Sequence, residues 1–259
     1  RSSVVHISIS EPYPVRVWFF CFGAAVGWRC GGWIMGKVIF IVSGGAVVAP
    51  VFFRRQAAKK RPAAIICADG GARRLDELGR IPDLIVGDMD SLDSEAQRRC
   101  EAKGCRIVRH ARRKDETDTE LALREAFRMG PTEVWIWGAL GHRVDHTLAN
   151  ISLLFQGREK GIGVKLIDRW CDLFLAEKRW VLEGEAGQTV SLFPFAGPVT
   201  GITLTGFEYP LKAATMEVGR PYGISNRLTS KRGIIEMDSG LLLVVRYFRP
   251  GVFPGEGEE

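Results

Sequence analysis

The sequence predicts an α/β protein: a mostly parallel sheet flanked by helices, followed by a smaller all-β sandwich or barrel domain. Three observations carry that reading. Between Lys37 and Asp168, short apolar runs alternate with helix-length amphipathic stretches, the pattern of strands joined by crossover helices. After about Cys171 the texture changes to short β-like runs separated by Gly, Pro and Asn turns, with no long helical period. Glycine-rich or acidic segments follow several of the early apolar runs, where an open, Rossmann-like sheet places its ligands. A chain of 259 residues can bury a substantial core around such a sheet.

The chain does not begin with Met, and Val15–Gly27 holds an apolar run with Trp18, Phe19, Phe20 and Phe22, interrupted by Arg16. That run is too short for a membrane span and lacks a clean Ala-x-Ala cleavage pattern. Residues 1–34 are therefore expected to be an upstream extension, with Met35 as the natural start. Gly36-Lys37 leads into a first strand, Val38–Val42, and the turn Ser43-Gly44-Gly45. A helix is expected over Val51–Lys60, then a strand, Ala64–Ala68, the turn Asp69-Gly70-Gly71 and a helix over Ala72–Leu78. Leu84–Val86 is a short buried strand. Ser94 with Gln97 reads as a capping box opening a helix that Gly104 stops after Lys103. Arg106–Arg109 is the next strand. Thr117 with Glu120 is a second capping box, opening a helix over Asp118–Met129 that contains the apolar pair Leu123 and Phe127 and stops at Gly130-Pro131. Val134–Trp137 and Val164–Ile167 are strands on either side of a helix over Arg143–Gly157. On that helix Val144, Leu148, Ile151 and Phe155 form an apolar face, while Arg143, His146 and Asn150 share a polar one. The β-like runs Thr189–Phe195, Gly201–Thr205, Gly233–Met237 and Leu241–Phe248 build the second domain. The expected limits are 35–170 for the α/β domain and 171–250 for the β domain, with 251–259 a flexible tail.

Composition narrows the function classes. Hydrophobic content of 46% and charged content of 25% are those of an ordinary globular protein rather than a disordered one. A net charge of +6 and a pI of about 9.1 allow polyanion affinity. Many of the basic residues, such as Arg54, Arg55, Lys59 and Lys60, fall on predicted helices, where they read as solvated faces. No nucleic-acid or membrane partner is expected. The six cysteines form no Cys-x-x-Cys pair and read as reduced thiols of a cytoplasmic protein.

The chemistry lies in two acidic stretches, Gly87-Asp88-Met89-Asp90-Ser91 and Lys114-Asp115-Glu116-Thr117-Asp118-Thr119-Glu120. Clustered carboxylates repel one another unless a cation or an unusual proton shares the site. Holding Mg²⁺ over substrate phosphates is the natural use, so the pattern points to phosphoryl-type chemistry. Asp88 and Asp90 face the same side if the backbone is extended; a turn with solvated acids is the alternative, and Ser91 adds a hydroxyl ligand or serves that turn. Complementing a helix dipole accounts for Glu120 and can account for Asp118, but not for Asp115 and Lys114, which precede the helix. Asp69-Gly70-Gly71 follows a strand and opens a helix, so its backbone N–H groups can approach an anion. Neither that turn nor Ser43-Gly44-Gly45 matches Gly-x-Gly-x-x-Gly or the Walker pattern. Arg143, at a helix start preceded by glycine, suits a phosphate clamp. Beside it, Asp145 reads equally as a cap or salt-bridge partner, and His146 as an exposed side chain.

Taken in order, several motifs resemble the thiamine pyrophosphokinase (thiamine diphosphokinase) family from Met35 to about Phe248. They are Ala68-Asp69-Gly70-Gly71-Ala72, Pro82-Asp83-Leu84-Ile85-Val86-Gly87-Asp88-Met89-Asp90-Ser91, Lys114 to Leu123, and Gly141-x-Arg143-x-Asp145-His146-x-Leu148-x-Asn150. Thr205-Gly206-x-x-Tyr209-Pro210-Leu211 and Gly223-Ile224-Ser225-Asn226 continue the likeness in the β part. The resemblance implies transfer of the diphosphoryl unit of ATP to the hydroxyl of thiamine, giving thiamine diphosphate and AMP. It implies that Asp88, Asp90 and Asp118 hold Mg²⁺ and orient the hydroxyl, with Asp115 a further candidate. Arg143 and Lys114 would then stabilise the phosphates. Asp69, Gly70, Gly71, Ser91, Asp145 and His146 would line the ATP cleft, and Ser225 and Asn226 would contact thiamine. A homodimer with the site at its interface is expected. His142 departs from the pattern, standing where bacterial relatives usually carry a second glycine. The alternatives are a diphosphokinase acting on another hydroxymethyl heterocycle such as a pterin, and a polyanion-binding module, which the acidic stretches oppose.

Overall fold

The computed structural model describes residues 36–45, 49–73, 80–90, 92–141 and 143–254. The expectations for residues 1–34, Ser91, His142 and the last five residues lie outside them, as does most of the helix expected over Ala72–Leu78, of which residues 71–73 are helical.

Strands β1 (Val38–Val42), β2 (Ala64–Ala68), β3 (Leu84–Gly87), β4 (Arg106–Arg109), β5 (Glu133–Trp137) and β6 (Gly163–Ile167) pair in parallel, in the order β6-β5-β1-β2-β3-β4. Every residue of β1, β2 and β5 is buried, as expected of strands covered on both faces. One face packs under α3 (Asp118–Arg128) and α4 (Val144–Glu159) through Leu121, Ala122, Leu153 and Leu154. The other carries Phe40, Trp135 and Trp137 beneath α1 (Pro50–Lys60), whose Phe53 meets the Trp137 ring edge-on at 5.0 Å. The chain steps outward from β1 to β4 and then crosses back to β5 on the other side of β1. The strand order therefore reverses between β1 and β5, and such a reversal opens a crevice at the strands' C-terminal ends.

Beyond β6 the same sheet continues, antiparallel, through β7 (Cys171–Ala176), β14 (Leu242–Tyr247), β9 (Thr189–Pro194) and β12 (Asn226–Arg227). A second sheet of β11 (Ala214–Met216), β10 (Val199–Thr205), β13 (Arg232–Glu236) and β8 (Arg179–Glu183) packs on this extension. Phe174, Val190, Leu192 and Val244 face Trp180, Ile202, Leu204 and Ile235 across the sandwich core. The fold class is the expected one. The sequence did not show that the sandwich borrows one of its sheets from the α/β part. At the seam, Asp172 accepts two hydrogen bonds from Arg246, at 3.0 and 2.5 Å, and lies 3.5 Å from the Lys165 ammonium. That ammonium is centred 4.6 Å from the Trp135 ring, and burial holds its pKa below the usual lysine range.

Local differences have physical reasons. Helix α2 (Ser94–Ala102) is capped by Asp93, whose carboxylate accepts from Ala96 N at 2.7 Å, so Ser94 is the first helical residue and not the cap. Thr117 caps α3 as expected, accepting from Glu120 N at 3.1 Å. On α4 the expected apolar face is split: Val144 is 70% and Leu148 59% exposed, Ile151 packs against the core, and Asn150, Leu153, Leu154 and Gly157 are buried. The helix has apolar residues on both sides, and a hydrogen bond from buried Asn150 helps select the face that turns inward. Strands β7, β8, β11 and β12 were not singled out from sequence; two are only two or three residues long.

Candidate active site

Three turns converge at the crevice between β1 and β5. Ser43 N donates to Trp137 O at 2.8 Å and Gly45 N to Gly138 O at 3.0 Å, joining the ends of those strands. A Cβ on Gly45 would stand 2.2 Å from Gly138 O, and one on Gly71 1.9 Å from Val42 O, so neither position accepts a side chain. Ser43 Oγ and Thr119 Oγ1 share a buried hydrogen bond of 2.9 Å, which ties the first turn to the start of α3. The resulting cleft holds about 690 Å³ and is lined by Ser43, Gly44, Gly70, Asp118, Gly138 and Arg143, among others. That volume suits a ligand of nucleotide size.

The register Ala68↔Val86 sets the ends of β2 and β3 side by side, so Asp69 and Gly87 become neighbours. Asp69 is buried, with φ of 33°, in the left-handed region that side chains seldom adopt. Met89, at φ 66°, turns the chain between Asp88 and Asp90, and its side chain is buried in the core. Of the two alternatives this segment is therefore the turn, with Met89 as a buried anchor, and Asp90 N donates to Asp88 Oδ1 at 3.1 Å. Asp69, Asp88 and Asp90 each offer a carboxylate oxygen, all lying within 4.8 Å of one another. Such an all-oxygen set suits a hard divalent cation.

The expected metal group was Asp88, Asp90 and Asp118. The structure brings Asp69 to the first two and places Asp118 opposite Lys114, whose ammonium donates to Asp118 Oδ1 at 2.5 Å. Asp118 stays close to the group, because a Cβ on Gly87 would lie 2.7 Å from Asp69 Cβ and 3.3 Å from Asp118 Oδ1. Asp115 is exposed and lines neither the carboxylate group nor the cleft. Gly70 lines the cleft, and Gly71 packs beneath the turn. Arg143 caps α4 and pairs with Asp145 at 2.5 Å, both exposed on the cleft wall. That hydrogen bond holds the Asp145 carboxyl below its usual range and the Arg143 guanidinium above its own. His146 lies exposed on the same wall, so the shared polar face survives only in part: Asn150 is buried and donates to Ala139 O at 2.8 Å.

In the β part, Ser225 is exposed, with φ of 58°, and its N–H donates to Ser191 Oγ at 3.1 Å. Asn226 is buried. Its Oδ1 accepts from Tyr209 N at 3.0 Å and Arg227 N at 2.8 Å, and its Nδ2 donates to Tyr209 O at 2.8 Å. The amide thus pins the Tyr209 turn to β12. Sequence reading weighed the Ser43-Gly44-Gly45 turn as an anion approach without a matching motif and passed over Gly87 and Thr119 as site residues, whose only signal was their place at a strand end and a helix start.

Comparison with known proteins covers both parts. The model of the thiamin pyrophosphokinase catalytic domain matches residues 56–166, and that of the thiamin pyrophosphokinase vitamin B1 binding domain matches residues 180–242. The chain is 34% identical over 183 residues to thiamine pyrophosphokinase of Bacillus subtilis, covering 70% of this chain and 86% of that protein. It is 28% identical over 206 residues to thiamine pyrophosphokinase 2 of Oryza sativa subsp. japonica, covering 70% and 76%. The crystal structure of the Bacillus subtilis enzyme superposes with a TM-score of 0.73 at 31% identity, over 82% of this chain and 100% of that one. Thiamin pyrophosphokinase from Candida albicans shares the fold with a TM-score of 0.72 at 18% identity, over 85% and 92%.

Proposed function

The chain belongs to the thiamine pyrophosphokinase family and is a thiamine diphosphokinase, and from that premise we propose how its cleft works. ATP is the diphosphoryl donor and the thiamine hydroxyl the acceptor, with thiamine diphosphate and AMP as products. The observation that carries this division is the group of Asp69, Asp88 and Asp90 beside glycine turns at the point where strand order reverses. These three carboxylates would hold Mg²⁺, which supplies neutralisation of phosphate charge when bound.

The chain's own groups do the positioning. Gly44 and Gly70 line the cleft without side chains, so phosphate oxygens can approach the backbone there, while Gly45 and Gly71 let the turns pack against Gly138 and Val42. Arg143, exchanging Asp145 for phosphate, neutralises charge on the transferred group. Asp118, held by Lys114, accepts a hydrogen bond from the attacking hydroxyl and orients it in line. In the β part, Asn226 fixes the frame from which Ser225 and the turn at Tyr209 meet thiamine. The catalytic unit so defined is the α/β part, residues 35–170, and the thiamine-binding unit is 171–250.

A homodimer completes the site in this reading. Val144 and Leu148 lie exposed at the cleft rim, and Tyr209, Tyr222 and Ile224 lie exposed in the β part. A two-fold interface that set one protomer's β loops over its partner's cleft would cover both apolar sets. Cys67, Cys100, Cys105 and Cys171 are free thiols, which supports a reducing, cytoplasmic setting; among the described residues no helix is long and apolar enough to cross a membrane. The match to a vitamin B1 binding domain favours thiamine over a pterin acceptor. The test is incubation with ATP, Mg²⁺ and thiamine, followed by identification of the nucleotide released. AMP is expected. ADP would mean single phosphoryl transfer, and absence of turnover would overturn the reading.

A further inference from the structure

Between β4 and α3 runs a short segment of bends, residues 111–117, fastened at both ends. At the near end His110 N donates to Gly87 O at 2.9 Å, next to the first acidic stretch. At the far end Thr117 caps α3, and Glu116 accepts from Arg124 Nη2 at 3.0 Å. This strap presents two cations to the acidic site. Lys114 reaches Asp118 at 2.5 Å, and the Arg112 guanidinium stands 3.6 Å from Asp90 Oδ2. Arg112 is otherwise in solvent, its side chain 82% exposed, and among the described residues Asp90 is the carboxylate it meets.

We propose that Arg112 is a positioning residue and counter-ion for Asp90: it occupies that carboxylate in the free enzyme, yields it to the divalent cation, and then turns to the phosphates that arrive with it. The inference rests on the assignment of Asp69, Asp88 and Asp90 to the metal. Without a cation, three carboxylates with oxygens inside 4.8 Å repel one another, and a nearby guanidinium lowers that repulsion. The same contact competes with metal, since Asp90 Oδ2 cannot hold both at full strength. Because the pair is exposed the competition is modest, so the exchange is easily reversed. Released Arg112 is planar, permanently charged and able to bind phosphate oxygens through two donors. One residue thereby opposes metal binding by the free protein and favours binding of the metal–nucleotide complex.

These opposite signs provide the test. Mn²⁺ is titrated into the nucleotide-free protein and followed by electron paramagnetic resonance, for wild type, Arg112→Ala, Arg112→Lys and the neighbouring control Arg113→Ala. Steady-state kinetics are then measured with ATP and thiamine varied separately. Arg112→Ala should bind Mn²⁺ alone about two- to five-fold more tightly, the range expected for an exposed ion pair. It should also show a KM for ATP raised several-fold with the KM for thiamine unchanged. Arg112→Lys should fall between, and Arg113→Ala should match wild type. If wild type binds Mn²⁺ but Arg112→Ala binds it equally or more weakly, the counter-ion role is wrong while the metal site stands. If wild type takes up no Mn²⁺ with or without ATP, the metal assignment fails and the inference with it.

Discussion

Asn226→Ala separates two roles that a polar residue in a substrate-binding loop can have. From sequence likeness Asn226 was expected to contact thiamine, but its amide is committed to the Tyr209 turn and to Arg227 by three hydrogen bonds. At about 1 kcal/mol net for each, and more where a buried group is left unpaired, truncation should cost about 2–4 kcal/mol. For a chain of this size that lowers the melting midpoint by roughly 5–15 °C. The KM for thiamine should rise as well, because Ser225 and the Tyr209 turn lose their frame, while the KM for ATP changes little. Asn226→Asp keeps the acceptor for both N–H groups but sets a second carboxylate oxygen against Tyr209 O at a buried position, so at neutral pH it should destabilise at least as much as alanine. Thermal unfolding followed by circular dichroism, with kinetics on the same preparations, makes the comparison. If Asn226→Ala melts within about 1 °C of wild type and still raises the thiamine KM, the side chain is a direct contact and the framing argument is wrong.

Asp69→Asn, Asp88→Asn and Asp90→Asn should each lower turnover by about a hundredfold or more at saturating Mg²⁺ with the fold retained by circular dichroism, as the proposed metal role requires; activity within a few-fold of wild type would remove that residue from the group. Gly87→Ala should cost about 1–3 kcal/mol of stability by overpacking and about a hundredfold in kcat by displacing Asp69 and Asp118; a denaturant melt and a kcat unchanged from wild type would sink the claim that Asp69 and Asp118 both pack against this glycine. Burial raises the pKa of Asp168, although its Oδ1 accepts from Trp170 N at 2.7 Å and Cys171 N at 2.9 Å. With the folded pKa above the unfolded value, the native state takes up a proton first as pH falls, so the carboxylate destabilises the fold above that window and the penalty disappears within it. Asp168→Asn should therefore gain stability over wild type at neutral pH and lose that gain as the pH drops into the carboxylate range; a difference independent of pH in urea melts would contradict it.

Strand positions were legible because strands covered on both faces must be apolar throughout, and Val38–Val42 and Ala64–Ala68 are. Asp88 and Asp90 were legible because close carboxylates are costly without a cation, so their clustering alone carries meaning. What the sequence concealed was adjacency made by pairing. Asp69 joins Asp88 and Asp90 only because β2 and β3 align Ala68 with Val86, and Arg112 reaches Asp90 only because β4 ends beside Gly87. The continuation of the sheet from β6 into β7 was equally hidden, since it depends on the Lys165–Asp172–Arg246 seam and not on any periodicity.

The two asparagines carry the more general argument. Asn150 and Asn226 sit in motifs that read as polar contact residues, and both are buried with their amides spent on backbone, at Ala139 O and across the Tyr209 turn. Asp69, Asp88 and Asp90 sit as near the chemistry, yet their oxygens face one another across less than 4.8 Å. The difference lies in hydrogen-bonding capacity. An amide offers both donors and acceptors, so it can satisfy a turn completely and hold it rigid. An ionised carboxylate accepts only, so a cluster of them repels itself and draws cations, as Arg112 at Asp90 illustrates. A motif can therefore mix residues that shape a site with residues free to act in it: the asparagines here shape, and the aspartates are the ones proposed to act.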